Sequence, residues 1–172
     1  MRKYLPYALS LMIIALDQIT KAAIVALVPE GSVACRLLWD FLWIVHVRND
    51  AVAFSMGTGF PFALKLVLFI FVPVALMALL AYIIASGKGG FTRFQVWCLA
   101  GILGGGTGNL IDRILRSLRV VDWISTNNYG FMGMDRFPTY NIADASVVIS
   151  VILLAISFIA EDIKGRKNGK ER

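Results

Sequence analysis

The sequence predicts an all-α membrane protein of four transmembrane helices carrying a small extracytoplasmic β-element. Three observations carry that prediction. Mean hydropathy is +0.73 and only 16% of the 172 residues are charged, too apolar a balance for a water-soluble domain. The apolar residues fall into four blocks, residues 5–28, 61–85, 94–115 and 141–163, each close to the roughly 20 residues that a helix needs to cross a hydrocarbon core. Between the first two blocks, "LLWDFLWIVHVRNDAVAF" mixes aromatic and β-branched residues and alternates around Ile44 to Arg48, the pattern of short strands.

Taken in order, the first block follows Arg2 and Lys3 and resembles a secretory leader at its start. Its apolar run continues past Asp17, Gln18 and Lys21, whereas a cleaved leader has an apolar core of about 7–15 residues, so the block is read as a retained span. A charged side chain within a bilayer costs ~2.5–3.5 kcal/mol on insertion scales and therefore calls for a partner or a function. Asp17 and Lys21 stand four apart on one helix face, in the orientation that favours an ion pair. That pair either supports a site or simply locks the first helix into the bundle.

Segment 29–60 is expected to lay the apolar face of its strands on the membrane surface, with Trp39 and Trp43 at headgroup level. An interfacial amphipathic helix is the competing reading. The second block leads through the short loop "SGKGGFTR" into the third, "GILGGGTGNLIDRI". There Gly101 with Gly105, and Gly104 with Gly108, have the small-xxx-small spacing that lets helices approach closely. No Lys-Ser/Thr follows, so these glycines do not form a phosphate loop. Asn109, Asp112 and Arg113 fall at i, i+3 and i+4, placing an amide, a carboxylate and a guanidinium on one face, unless the two charges merely end a helix at the interface.

The fourth block opens with "NIAD", in which Asn141 suits an N-cap and Asp144, three residues on, complements the helix N-terminus. Residues 1–163 read as a single domain, followed by a charged cytoplasmic tail, 164–172, expected to be disordered. With four spans, both termini and the "SGKGGFTR" loop share a side carrying Arg2, Lys3, Lys88, Arg93, Lys164, Arg166, Lys167, Lys170 and Arg172. The other side carries Arg36, Arg48, Arg113, Arg116, Arg119 and Arg136, and the bias puts the termini in the cytoplasm. A net charge of +6 suits anionic membrane lipids, and no nucleic-acid-binding motif is present. Cys35 and Cys98 lie too far apart in depth to bridge, and the lone His46 leaves no Cys/His cluster for zinc.

Two carboxylates then need an account. "VVDWI" surrounds Asp122 with apolar side chains and offers it no local partner, while Asp144 is equally a cap or a catalyst. Brought together at a dry membrane edge, two carboxyls cannot comfortably both ionise, so one keeps its proton. That is the state needed to activate a water and protonate a leaving amide, the shared proton belonging to the pair. A small transporter or channel is the rival class, because intramembrane Asp, Lys and Arg also mark ion pathways. Apart from Asp17, Gln18, Lys21 and Lys65, however, the polar groups gather toward one face.

Five motifs in order, "DQITK", "NDAVAFS", "GGGTGNLIDR", "VVDWI" and "FPTYNIADASV", together resemble the lipoprotein signal peptidase (signal peptidase II) family. The resemblance implies catalytic aspartates at Asp122 and Asp144, and a substrate site lined by Asn49, Asn109, Arg113 and Asn141. Asp17 and Lys21 become supporting polar residues, and Asp112 joins them. It also implies a β-cradle from the first outer loop and a short periplasmic helix near the dyad. The implied setting is the bacterial inner membrane, with the site at its periplasmic face. The protein is read as a monomer, and two aspartates without a His or Glu partner make a weak divalent site, so no metal or cofactor is expected. The implied substrate is a prolipoprotein whose cysteine already carries diacylglycerol, cleaved just before that cysteine. An inactive lipoprotein-binding homologue is disfavoured because both acids are present.

Two departures stand out. Where the family has Asn-x-Gly-Ala-Ala-Phe, this chain has Asn49, Asp50, Ala51, Val52, Ala53 and Phe54, which predicts a looser turn and a narrower pocket. The 22-residue step from Asp122 to Asp144 is somewhat long, and "NNYGFMGMD" is expected to form a flap.

Overall fold

The computed structural model describes residues 4–50 and 59–170. The departures at Ala51, Val52, Ala53 and Phe54 therefore lie outside the described residues. The elements are α1 (Leu5–Leu27), β1 (Val33–Leu37), β2 (Leu42–Asn49), α2 (Phe62–Ser86), α3 (Arg93–Leu115), β3 (Val120–Thr126), a 3-10 turn (Phe131–Gly133) and α4 (Ile142–Lys170).

Several features of the helices have a local cause. Pro6 occupies the first turn of α1, where its missing N–H costs nothing. Pro73 falls inside α2, and the π-helical turn Val67–Phe71 immediately before it absorbs the lost hydrogen bond. Gly87 closes α2 in the left-handed conformation, φ 65°. Thr92 and Gln95 open α3 with a reciprocal capping box. The four apolar blocks coincide with helices to within a residue or two, except at the C-terminus. The charged tail is not disordered over the described residues: α4 continues to Lys170, helped by an Asp162–Arg166 ion pair at i, i+4 of 2.9 Å.

α3 is the axis of the bundle and packs against α1, α2 and α4. Its small residues permit this. A methyl group on Gly104 would sit 2.9 Å from the Ser10 backbone in α1, and one on Gly108 would meet Asp17 Oδ2 at 2.8 Å. On the other side, Gly101 faces Ser150, and Gly105 faces Ala143 and Val147, all in α4. The burial pattern is inverted relative to a soluble protein. Asp17, Lys21, Asp112 and Asn141 are fully enclosed, while Leu11, Ile19, Leu76, Leu79, Ile152 and Ile159 are exposed. Among the described residues, three stretches are long and apolar enough to cross a membrane, α1, α2 and Ile142–Lys164 of α4. α3 has the same 23-residue length as α1 but carries the polar face.

The three strands form one antiparallel sheet in the order β1-β2-β3. Segment 29–60 thus forms strands over 33–37 and 42–49 rather than an amphipathic helix. The sequence reading did not anticipate that "VVDWI" is the third strand, paired with β2 through Val47↔Asp122 and Ile44↔Ile124 around an irregularity. The β1–β2 turn holds Leu38, Trp39 and Asp40 at positive φ and leaves Trp39 99% exposed. Behind it, Trp43 is stacked between Arg36, 4.3 Å away, and Arg136, 3.8 Å away. Cys35 and Cys98 are free thiols.

Candidate active site

Asp122 reaches the site from the buried first half of β3, next to Val120 and Val121. It is 3% exposed. Asn49 lies diagonally across the ladder on β2 and donates its side-chain N–H to Asp122 Oδ2 at 3.1 Å. Asp144 arrives from the first turn of α4. Its backbone N–H donates to Asn141 Oδ1 at 2.9 Å, and the Asn141 N–H donates to Asp144 Oδ2 at 3.1 Å. This reciprocal box fixes the entry of α4 and the carboxylate together.

Asn141 joins the two acids. With its oxygen committed to the cap, its amide nitrogen donates to Asp122 Oδ1 at 2.8 Å and to Asn109 Oδ1 at 3.1 Å. Asn109, on α3, then donates to Asp144 Oδ1 at 2.7 Å. Lys21 orients Asn109 from below. Its ammonium reaches Asn109 Oδ1 at 2.9 Å, Asp17 Oδ2 at 2.8 Å and Asp112 Oδ2 at 3.0 Å, so its three protons meet three acceptors. The predicted Asp17–Lys21 pair is therefore present, within a larger network.

Arg113 packs its guanidinium 5.0 Å from the ring of Phe69, in the π turn of α2, and its charge acts on Asp144, Asp122 and Asp112. Burial pushes the Asp122 carboxyl up to about 7, and the nearby Asp144 adds to the effect. Hydrogen bonds from Asn49 and Asn141, and the charge of Lys21, oppose that rise without cancelling it.

All of the sequence-predicted residues thus converge on one end of the bundle. Two others were missed in this role. Gln18 donates to Asp17 Oδ2, the Gly108 carbonyl and Asp112 Oδ1, tying α1 to α3, and its position beside Asp17 was the available signal. Arg116 pairs with Asp112 at 3.0 Å, one turn along α3. Among the described residues, no cluster of three or more His, Cys, Asp or Glu is arranged to hold a metal ion. Two grooves, of about 290 and 470 Å³, share Trp97 near the other end of α3, and neither is lined by Asp122 or Asp144.

Fold and site together define a helical membrane enzyme with its polar centre at one end of the bundle. The family model for signal peptidase (SPase) II matches residues 9–160. The lipoprotein signal peptidase of Treponema denticola is 39% identical over 165 residues, covering 95% of this chain and 94% of that protein. The Treponema pallidum enzyme of the same name is 38% identical, covering 93% and 86%. A bacterial membrane enzyme structure solved by the in meso method at 2.3 Å superposes with a TM-score of 0.78 at 29% identity, covering 91% of this chain and 88% of that one. The chain belongs to the signal peptidase II family.

Proposed function

We propose that this protein is an aspartyl endopeptidase of the bacterial inner membrane that removes signal peptides from prolipoproteins, cutting just before a diacylglyceryl-modified cysteine. The observation that carries the aspartyl mechanism is the coupling of Asp122 to Asp144 through the amide of Asn141.

Each acid accepts a hydrogen bond on both oxygens, and Asp144 is the ionised partner because it alone lies in the first turn of a helix, whose dipole favours the charged form. Asp122, with its carboxyl held near neutrality, keeps its proton. Asp144 takes a proton from water as the water oxygen attacks the scissile carbonyl carbon. Asp122 gives its proton to the leaving amide nitrogen as the C–N bond breaks, and transfer between the acids resets the pair. Asn49, Asn109, Asn141 and Arg113 hold the substrate backbone, and the acyl chains remain in the bilayer beside the helices.

In this reading all four helices cross the membrane, with the termini cytoplasmic and the sheet and 3-10 turn on the periplasmic side. The sheet is the cradle, and the turn at Phe131–Gly133 belongs to the flap and to the short periplasmic helix. The enzyme works as a monomer without metal or cofactor. A transporter is not favoured, because Asp17, Lys21 and Asp112 are sealed, and with Arg116 paired to Asp112 the two acids are matched by two cations instead of lining a path.

The test is a gel-shift cleavage assay in micelles, with diacylglyceryl-modified and unlipidated prolipoprotein in parallel. Only the lipidated form should be cut. Asp122→Asn or Asp144→Asn should lower turnover by at least ~100-fold with substrate binding retained. Near-wild-type turnover in either variant would remove that residue from the mechanism.

A further inference from the structure

The buried charges beneath the site make contacts that neutralisation alone does not require. Asp17 gives one oxygen to Lys21 and the other to the backbone N–H of Ala143, 3.0 Å away on α4. Asp112 accepts from Lys21 and, on the same oxygen, from the backbone N–H of Val121, 3.0 Å away on β3. Ala143 is the residue immediately before Asp144, and Val121 the residue immediately before Asp122. Each N–H is one that its own element leaves unpaired. Ala143 lies in the first turn of α4, where helical donors have no partner, and Val121 lies on an edge strand. Lys21, touching both carboxylates, makes the two contacts parts of one rigid unit.

We propose that Asp17 and Asp112, tied together by Lys21, are positioning residues that clasp the backbone before each reacting aspartate and so set the gap between the Asp122 and Asp144 carboxyls. The proposal rests on the reading of those two aspartates as the reacting pair. It assigns the buried charges to catalytic geometry through two main-chain contacts, with no contact to substrate. The essential feature is then the acceptor oxygen at each position, and the charges are one means of holding it.

Acceptor and charge can be separated. Lys21→Met removes the buried cation, and a buried ion pair is often replaceable by apolar groups of similar volume. On that background, Asp17→Asn keeps an oxygen for the Ala143 N–H, while Asp17→Leu has the same branched shape and no acceptor. The two double variants carry identical charge. With lipidated prolipoprotein as substrate, the Asn variant should keep measurable turnover, below wild type because Lys21 no longer holds Asn109. The Leu variant should fall a further ~100-fold in kcat, the scale of a displacement of about 1 Å, with KM moved less than ~3-fold. Hydrogen exchange should rise in the Leu variant at residues 141–144 without rising along the rest of α4. The same comparison at Asp112 should release residues 120–123.

Equal kcat in the Asn and Leu variants would overturn the clasp, as would equal loss of KM and kcat. Should the Leu variant not fold, hydrogen exchange in the Asn variant decides, since release of residues 141–144 with the acceptor oxygen kept would overturn the clasp. Wild-type protein that cuts no lipidated substrate would instead overturn the proposed function.

Discussion

Gly105 is the point at which helix packing and chemistry meet. A methyl group there would fall inside van der Waals contact with the Ala143 carbonyl oxygen and 2.8 Å from Val147 Cγ2, against an ordinary contact beginning at 3.4 Å. The obstruction is main chain, so no rotamer change relieves it. The start of α4 must back away from α3 by on the order of 1 Å, and the residue it carries away is Asp144, whose partner Asn109 stays on α3. Overpacking of this kind costs about 1–3 kcal/mol of stability, and a misplacement of that size costs about 100-fold in rate. Gly105→Ala should therefore lower kcat by about 100-fold on lipidated prolipoprotein. Gly106→Ala is the internal control. Its methyl group would meet only the Met77 side chain, 2.5 Å from the sulfur, and that flexible chain can swing aside. The assay is single-turnover cleavage in micelles with melting temperature measured in parallel. A folded Gly105→Ala protein with kcat within ~3-fold of Gly106→Ala would refute the argument that this contact positions Asp144.

Two further outcomes follow from the electrostatics of the site. Asp122 has an ordinary value of 3.8 and sits at about 7 in the folded protein, so between those pH values the folded state holds a proton that the unfolded state releases. Stability should therefore fall as pH rises from about 4 to about 7, by up to about 4 kcal/mol, and melting curves of Asp122→Asn should lack that slope. The same deprotonation should make kcat/KM decline above about pH 7, and a rate still climbing at pH 9 would contradict the acid role of Asp122. EDTA should leave cleavage unchanged, and activity lost to chelator and restored by a divalent cation would bring metal chemistry back.

What was legible in the sequence was whatever depends on neighbours in the chain. The Asp17–Lys21 pair, the Asn141–Asp144 cap and the two glycine pairs are all i, i+3 or i+4 relations within one helix, and the structure contains each of them. β3 was not legible. A short apolar run is ambiguous between strand and helix end, and "VVDWI" becomes a strand by pairing with β2, more than seventy residues earlier. For the same reason Asp122, which had no local partner, has two partners distant in sequence, Asn49 and Asn141. The π turn of α2 had a local cause in Pro73, but its consequence, Phe69 beneath Arg113, is a contact between helices.

The two readings of Asp144, cap and catalyst, are compatible because a carboxylate has about four acceptor positions and the structure occupies one on each oxygen. This complicates the obvious mutant. In Asp144→Asn the new amide nitrogen must face either the Asn141 N–H or the Asn109 side-chain N–H, donor against donor, so about 0.5–2 kcal/mol of capping stability is lost along with the charge. A second substitution separates the effects. In Asn109→Asp/Asp144→Asn the carboxylate moves one partner away: it accepts from Lys21, from Asn141 and from the new amide, whose oxygen still faces the Asn141 N–H. Every hydrogen bond and the net charge survive. The melting temperature should return to near wild type while turnover stays at least ~100-fold down. If turnover recovers with stability, the role of Asp144 is the cap, and the proton-accepting carboxylate has to be sought elsewhere in the network.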